Sequence, residues 1–176
     1  MVTEQDKAIG VLKIAVQMET DGKEFYLKAS RGSLNRLGKE LLRSLADEED
    51  VHRQKFEEIY EAIRSKQGWP KTPFHPDEGK RLKEVFAKAT ESNPSKVRVP
   101  KSELGAVQTA MTMENKTYDF YIKQSQDAAY DAEKDFYQAL AAQEKTHHAI
   151  LLDYYEYLKN PAAWFVNKEH PSLDGG

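Results

Sequence analysis

The chain has 176 residues, enough for one domain with a substantial core, and its 26 Lys and Arg against 29 Asp and Glu leave a formal net charge of −3. That balance supplies no basic field for nucleic acid or an anionic membrane surface. Cysteine is absent, which removes disulfides, thiolate nucleophiles, iron–sulfur clusters and Cys-ligated zinc.

Hydrophobic residues make up 39% and charged residues 31%, the mixture expected of long amphipathic helices with narrow inward stripes. Thr3 can cap a first helix over about Glu4–Ala29, with Leu12, Ala15, Met18/Glu19, Gly22 and Phe25/Tyr26 recurring on one face. The Ser30-Arg-Gly-Ser33 break offers Ser33 as the cap of a second helix from Leu34 to about Ser65. Leu41/Leu42, Leu45, Glu49, His52, Phe56 and Ile59/Tyr60 keep helical spacing within it. Pro70, Pro73 and Pro76 then rule out regular helix, Asp77–Ala89 reads as a short helix, and Pro94 and Pro100 mark a further break. Ser102 can cap a third long helix to about Gln126. A tight break near Asp127–Ala129 leads to the fourth, which ends at Asn160-Pro161.

The order is hairpin, crossover of about 35 residues, hairpin, tail. A crossover that long marks a ferritin-like four-helix bundle, an all-α fold, rather than a simple up-down-up-down one. The expected division is residues 1–160 as the bundle, with 66–101 as the crossover carrying its short helix, and 161–176 as a C-terminal tail. No leader and no membrane-length apolar run is seen, so a soluble cytoplasmic protein is expected.

Glu-x-x-His occurs twice, at Glu49/His52 and Glu144/His147, and 144 − 49 and 147 − 52 both equal 95. The same offset superimposes Ile14–Ser30 (IAVQMETDGKEFYLKAS) on Thr109–Ser125 (TAMTMENKTYDFYIKQS). Ala15/Ala110, Met18/Met113, Glu19/Glu114, Phe25/Phe120, Tyr26/Tyr121, Lys28/Lys123 and Ser30/Ser125 are identical pairs. Each half thus supplies a lone Glu and, 30 residues on, a Glu-x-x-His. Residues three apart share a helix face, so each Glu and His of the motif point to one spot. Four carboxylates and two imidazoles converging in a bundle form the ligand set of a dinuclear metal site: Glu19, Glu49, His52, Glu114, Glu144 and His147. Four buried negative charges are untenable without cations. Hard oxygen ligands with imidazole suit two iron ions per chain, with manganese or a mixed pair compatible with the same set.

A single Glu-x-x-His on a charged helix is more often surface decoration. What lifts this pair above that reading is the offset shared with the independent helix repeat. His148, Glu169-His170 and His75 are weaker candidates, better read as solvated, loop or packing residues. Asn115-Lys-Thr117 matches a glycosylation sequon in a helical setting, and Tyr154, Tyr155, Tyr157, Trp164 and Phe165 read as core or dimer packing.

The segments AVQMETDGKEFY…LADEEDVH and AMTMENKTYDFY…LAAQEKTH, with the ending LLDYYEYLKNPAAWFVNKEHPSLDGG, resemble the ferritin-like diiron domain of the rubrerythrin family over nearly the whole chain. The resemblance implies that Glu49 and Glu144 bridge two irons, that Glu19 and His52 complete one, and that Glu114 and His147 complete the other. It also implies that Tyr26 and Tyr121, two turns after their Glu, are phenols bonded to ligand carboxylates. Two departures stand out. Rubrerythrins usually append a Cys₄ iron domain, whereas this chain has no cysteine, so an external electron-transfer protein is expected. They also carry an extra helix-three Glu, where Met111 and Thr117 stand here, and the remaining symmetric Glu₄His₂ set is nearer to that of bacterioferritin.

The expected function is diiron redox chemistry on dioxygen or hydrogen peroxide, in a homodimer. Two alternatives stay open: a ferroxidase serving iron storage, against which the proline-broken crossover and aromatic tail count, and a bundle whose metals only hold helices together.

Overall fold

The computed structural model describes residues 3–65, 68–71, 74, 77, 79–90 and 98–164; His75, Phe165, Glu169 and His170 lie outside them. Among the described residues the chain forms five helices: α1 (Glu4–Gly32), α2 (Arg36–Arg64), α3 (Lys80–Thr90), α4 (Lys101–Asp127) and α5 (Asp131–Lys159). Residues 161–164 add a short helical turn.

Local chemistry sets these limits. Thr3 opens α1 through a reciprocal box: its hydroxyl accepts from the Asp6 amide, and the Asp6 carboxylate accepts from the Thr3 amide. The cap of α2 is Asn35 rather than Ser33, its side-chain oxygen accepting from the Gly38 amide at 2.6 Å. Ser33 instead closes α1, and its hydroxyl donates to Glu103 at 2.6 Å. Asp77 precedes α3 rather than opening it, accepting from the amides of Gly79 and Arg81 while Gly79 adopts a φ of +72°. Ser102 is not the cap of α4. Pro100 holds that position, its missing N–H costing nothing at a helix start.

Two hairpins, α1–α2 and α4–α5, face each other across the bundle. Tyr26 of α1 reaches Glu114 of α4, and Tyr121 of α4 reaches Glu19 of α1, so α1 and α4 run antiparallel. It follows that α2 and α4 run parallel, and the crossover must carry the chain the length of a helix. At 1.5 Å per residue, 29 residues of α2 make that about 43 Å. The crossover climbs along α5 in register. Trp69 meets Phe136 and Tyr137, Gly79 lies against Thr146 and Ile150, and Phe86 packs on Tyr157 and Trp164. Arg81 ties α3 to Asp47 of α2 at 3.1 Å.

Apolar packing is split into two clusters. One gathers Leu41, Leu42, Leu45, Val107, Leu151, Tyr154 and Leu158; the other gathers Leu12, Ala15, Phe56, Ile59, Tyr121, Phe136 and Leu140. On all four long helices the residues between the clusters include the carboxylates and imidazoles singled out above. A polar layer therefore crosses the middle of an otherwise apolar bundle. This is an all-α, ferritin-like bundle, and among the described residues no helix is long and apolar enough to cross a membrane.

The end of the bundle at the α1–α2 turn is drawn tight around Gly38. A Cβ there would overlap the Tyr154 hydroxyl, the Ser33 hydroxyl and the Glu103 carboxylate, which bond one another. Gly38→Ala should destabilise the fold by about 1–3 kcal/mol in a denaturant melt, the usual cost of overpacking. Gly10→Ala, where no atom lies within 4 Å, should not destabilise it. Equal melts for wild type and Gly38→Ala would show that the cluster yields without cost.

Candidate metal centre

The structure brings all six sequence-predicted ligands into the polar layer. Glu19 comes from α1, Glu49 and His52 from α2, Glu114 from α4, and Glu144 and His147 from α5; none is more than 4% exposed. They fall into two groups able to hold a metal ion: Glu19, Glu49, His52 and Glu144 in one, Glu49, Glu114, Glu144 and His147 in the other. Within each group the donor atoms lie within 4.8 Å of one another. Glu49 and Glu144 belong to both.

Each imidazole presents Nδ1 to the carboxylates. His52 Nδ1 lies 3.2 Å from Glu19 and 3.3 Å from Glu144; His147 Nδ1 lies 3.3 Å from Glu49 and 3.5 Å from Glu114. The two rings stack at 5.8 Å with 9° between their planes. Glu49 Oε1, Glu114 Oε2, Glu144 Oε1 and His147 Nδ1 are buried without a hydrogen-bond partner. Inward-facing lone pairs with no donor between them are costly to bury. Divalent cations satisfy such atoms at once, and an oxygen-rich set with two imidazoles suits iron or manganese.

The phenols cross between halves. Tyr26 donates to Glu114 and Tyr121 to Glu19, so each bonds the lone Glu of the other repeat, not the one two turns before it on its own helix. Seven residues along a helix is about 10.5 Å, beyond a phenol's reach, whereas antiparallel neighbours bring the exchanged pair level. Three contributors were not singled out in the sequence. Glu48 accepts from His147 Nε2 at 2.8 Å and from the Gln143 amide at 2.9 Å. Gly22 clears the space for Glu49: a Cβ there would stand 3.0 Å from its Oε2. The signal for Glu48 and Gln143 was available, since they precede the two Glu-x-x-His glutamates and differ by the same 95 residues. His148 is only partly buried and joins neither group, and Thr117 turns its hydroxyl back to the Met113 carbonyl.

Electrostatics sorts the carboxylates in two. Burial, reinforced by the charges of Glu19 and Glu114, pushes Glu49 well above the usual range, and burial with the charges of Glu114, Glu49 and Glu19 does the same to Glu144. Burial also acts upward on Glu19, but the His52 charge and bonds from His52, Glu49 and Tyr121 outweigh it, and the net shift is downward. Glu114 follows the same pattern with His147, Glu144 and Tyr26. On His147 burial acts downward, but the charge of Glu114 and the close approach of the Glu114, Glu48 and Glu49 carboxylates carry it well up. Burial and the neighbouring carboxylates raise both phenols, which keeps Tyr26 and Tyr121 protonated as donors.

The family model for rubrerythrin matches residues 10–155 of this chain. The chain belongs to the rubrerythrin family. Comparisons with curated proteins and with solved structures return no match.

These shifts fix the sign of a pH dependence for protein stripped of metal. Glu49 and Glu144, ordinarily near 4.5, hold protons longer folded than unfolded, so stability falls as pH rises above that value. His147, ordinarily at 6.5, adds a further loss as pH rises from there through its raised folded value. Glu19, Glu114 and Glu48 are lowered, so their contribution is present above 4.5 and disappears as pH falls through their folded values. Melts of chelator-treated protein should therefore decline from about pH 5 to about pH 8. Glu49→Gln and Glu144→Gln should flatten that decline. A melting temperature that rises over the same interval would contradict the buried cluster.

Proposed function

We propose that this rubrerythrin-family chain is a non-haem diiron-carboxylate redox protein that acts on dioxygen or hydrogen peroxide with electrons from an external electron-transfer protein. The observation that carries the reading is that two four-residue groups share Glu49 and Glu144 and leave inward-facing buried lone pairs without partners. In this reading Glu49 and Glu144 would be shared by two iron ions, Glu19 and His52 would complete the set for one, and Glu114 and His147 the set for the other. When bound, the iron pair supplies two electrons to the oxidant.

The protein's own part is positional. Tyr26 and Tyr121 hold Glu114 and Glu19 in fixed orientations from the opposite helix. Glu48 holds His147 in the tautomer that leaves Nδ1 free. Phe74, edge-on to His52 at 5.7 Å and packed on Phe136, keeps apolar rings against that side of the cluster. The 176 residues contain no cysteine for a thiolate-bound electron relay, which motivates the external donor. A cytoplasmic homodimer is part of the same reading.

Anaerobic loading with ferrous iron tests the stoichiometry. Metal analysis should approach two ions per chain, and zero or one with all six residues intact would rule out the dinuclear reading. Glu49→Ala and Glu144→Ala should reduce loading more than Glu19→Ala or Glu114→Ala, because a bridging ligand is lost to both ions.

The choice of oxidant is tested by mixing the anaerobic ferrous-loaded protein with dioxygen or peroxide at equal concentration. Met111 and Thr117 supply no additional carboxylate, so the two rates are expected to lie within about a hundredfold, or about 2.7 kcal/mol in barrier. A larger preference for peroxide would show that selectivity does not require that carboxylate. Failure of either oxidant to react would instead favour a bundle in which the metals only hold helices together.

A further inference from the structure

The duplication that builds the cluster is broken at Glu48 and Gln143, and this break touches the two histidines unequally. The offset of 95 pairs Glu48 with Gln143 and His52 with His147. Under that pairing, the contact between Glu48 and His147 Nε2 at 2.8 Å has as its counterpart a contact between Gln143 and His52 Nε2. The counterpart is not made. The Gln143 amide donates to Glu48 at 2.9 Å, and both Gln143 Oε1 and His52 Nε2 are buried without a hydrogen-bond partner. What lies against the His52 ring instead is the edge-on ring of Phe74.

This difference matters once Nδ1 is asked to hold a cation. A neutral imidazole that ligates through Nδ1 must carry its proton on Nε2. In His147 that proton has a carboxylate to receive it, which fixes the tautomer and strengthens the Nδ1 lone pair. In His52 the same proton is a buried donor with no acceptor, and an unsatisfied buried donor carries its full desolvation penalty. Glu48 also adds a negative charge on the His147 side that its repeat partner Gln143 does not match.

Resting on the dinuclear reading, we infer that the two metal subsites are inequivalent and fill in order. The subsite of Glu114 and His147 loads first because Glu48 positions His147, and the subsite of Glu19 and His52 loads second. Glu48 is a positioning residue, acting through the histidine. Partners of ligand histidines typically govern metal affinity by 10–100-fold, which sets the expected gap between the two steps at about tenfold or more.

The test uses zinc(II), which is redox-inert, added to chelator-stripped full-length protein with competition against a chelating dye. Two binding steps are expected, the first at least about tenfold tighter. At one equivalent, ¹⁵N spectra of the imidazoles should show His147 shifted and His52 unchanged. E48Q should draw the two steps to within about threefold by weakening the first. The double exchange E48Q with Q143E, which leaves the total charge unaltered, should reverse the order so that His52 shifts first. Thermal melts of both variants confirm that they fold. Two equal steps in the wild-type protein, or an order unaffected by the exchange, would overturn the inference while leaving two bound ions intact. No zinc bound at all would overturn the dinuclear reading and this inference with it.

Discussion

Four carboxylates packed between two apolar clusters set the terms for everything else in this bundle. In water each of these glutamates would be charged at neutral pH. In the layer between the Leu41–Leu45 and Leu12–Phe56 clusters, burial and mutual repulsion push Glu49 and Glu144 well above the usual carboxylate range, and the surrounding carboxylates carry His147 upward against its burial. The apolar clusters on either side provide the stability against which such a layer can persist. The same layer is what makes the fold responsive to cations, because neutralising it removes repulsion that no protein side chain can remove.

Antiparallel geometry turns duplication into a site. A repeat on two helices running the same way would set Glu19 level with Glu114 and Tyr26 level with Tyr121. Because α1 and α4 run in opposite directions, Glu19 of one half meets Tyr121 of the other, and Tyr26 meets Glu114. The exchanged pairs are flanked by matching edge contacts, Phe25 on Tyr26 and Phe120 on Tyr121, at 5.9 and 5.6 Å. The direction reversal has a topological consequence. With both hairpins turning tightly, α2 and α4 must be parallel, and only a crossover of bundle length can join them. The long proline-containing segment is thus required by the same arrangement that closes the site.

This logic explains what could be read in the amino-acid order. Helix existence, the two hairpins, the crossover and the six clustered residues all follow from periodicity and from one constant offset, which are properties of residue spacing. The caps were harder. Ser33 and Asn35 are both good N-cap residues two positions apart, and the choice fell to Asn35 because Glu103, remote in sequence, takes the Ser33 hydroxyl. The family resemblance implies that the tyrosines bond carboxylates, but their exchange between halves depends on helix direction, which spacing alone does not encode. Glu48 was obscured by lying among Asp47, Glu49 and Asp50, where any acid reads as solvated surface. Gly22 falls on the inward face of the first helix in the sequence, but its importance lies in a side chain it lacks, which leaves α1 open to the Glu49 carboxylate.

The departures from symmetry are instructive because they share a side. The crossover lies along α2 and α5, so Trp69, Phe74 and Phe136 gather beside His52 and Tyr137. The position that the repeat pairs with Tyr137 is Leu42, in the opposite cluster. Tyr137 in turn stacks on Tyr121 at 6.0 Å, so aromatic packing from the crossover reaches the phenol that holds Glu19. One end of the cluster, with Glu19 and His52, is therefore set among aromatic rings. The other, with Glu114 and His147, is set by the hydrogen-bonded Glu48. A duplicated ligand set inside a singly connected chain meets two different environments, and equivalence of the two halves ends where the connection between them begins.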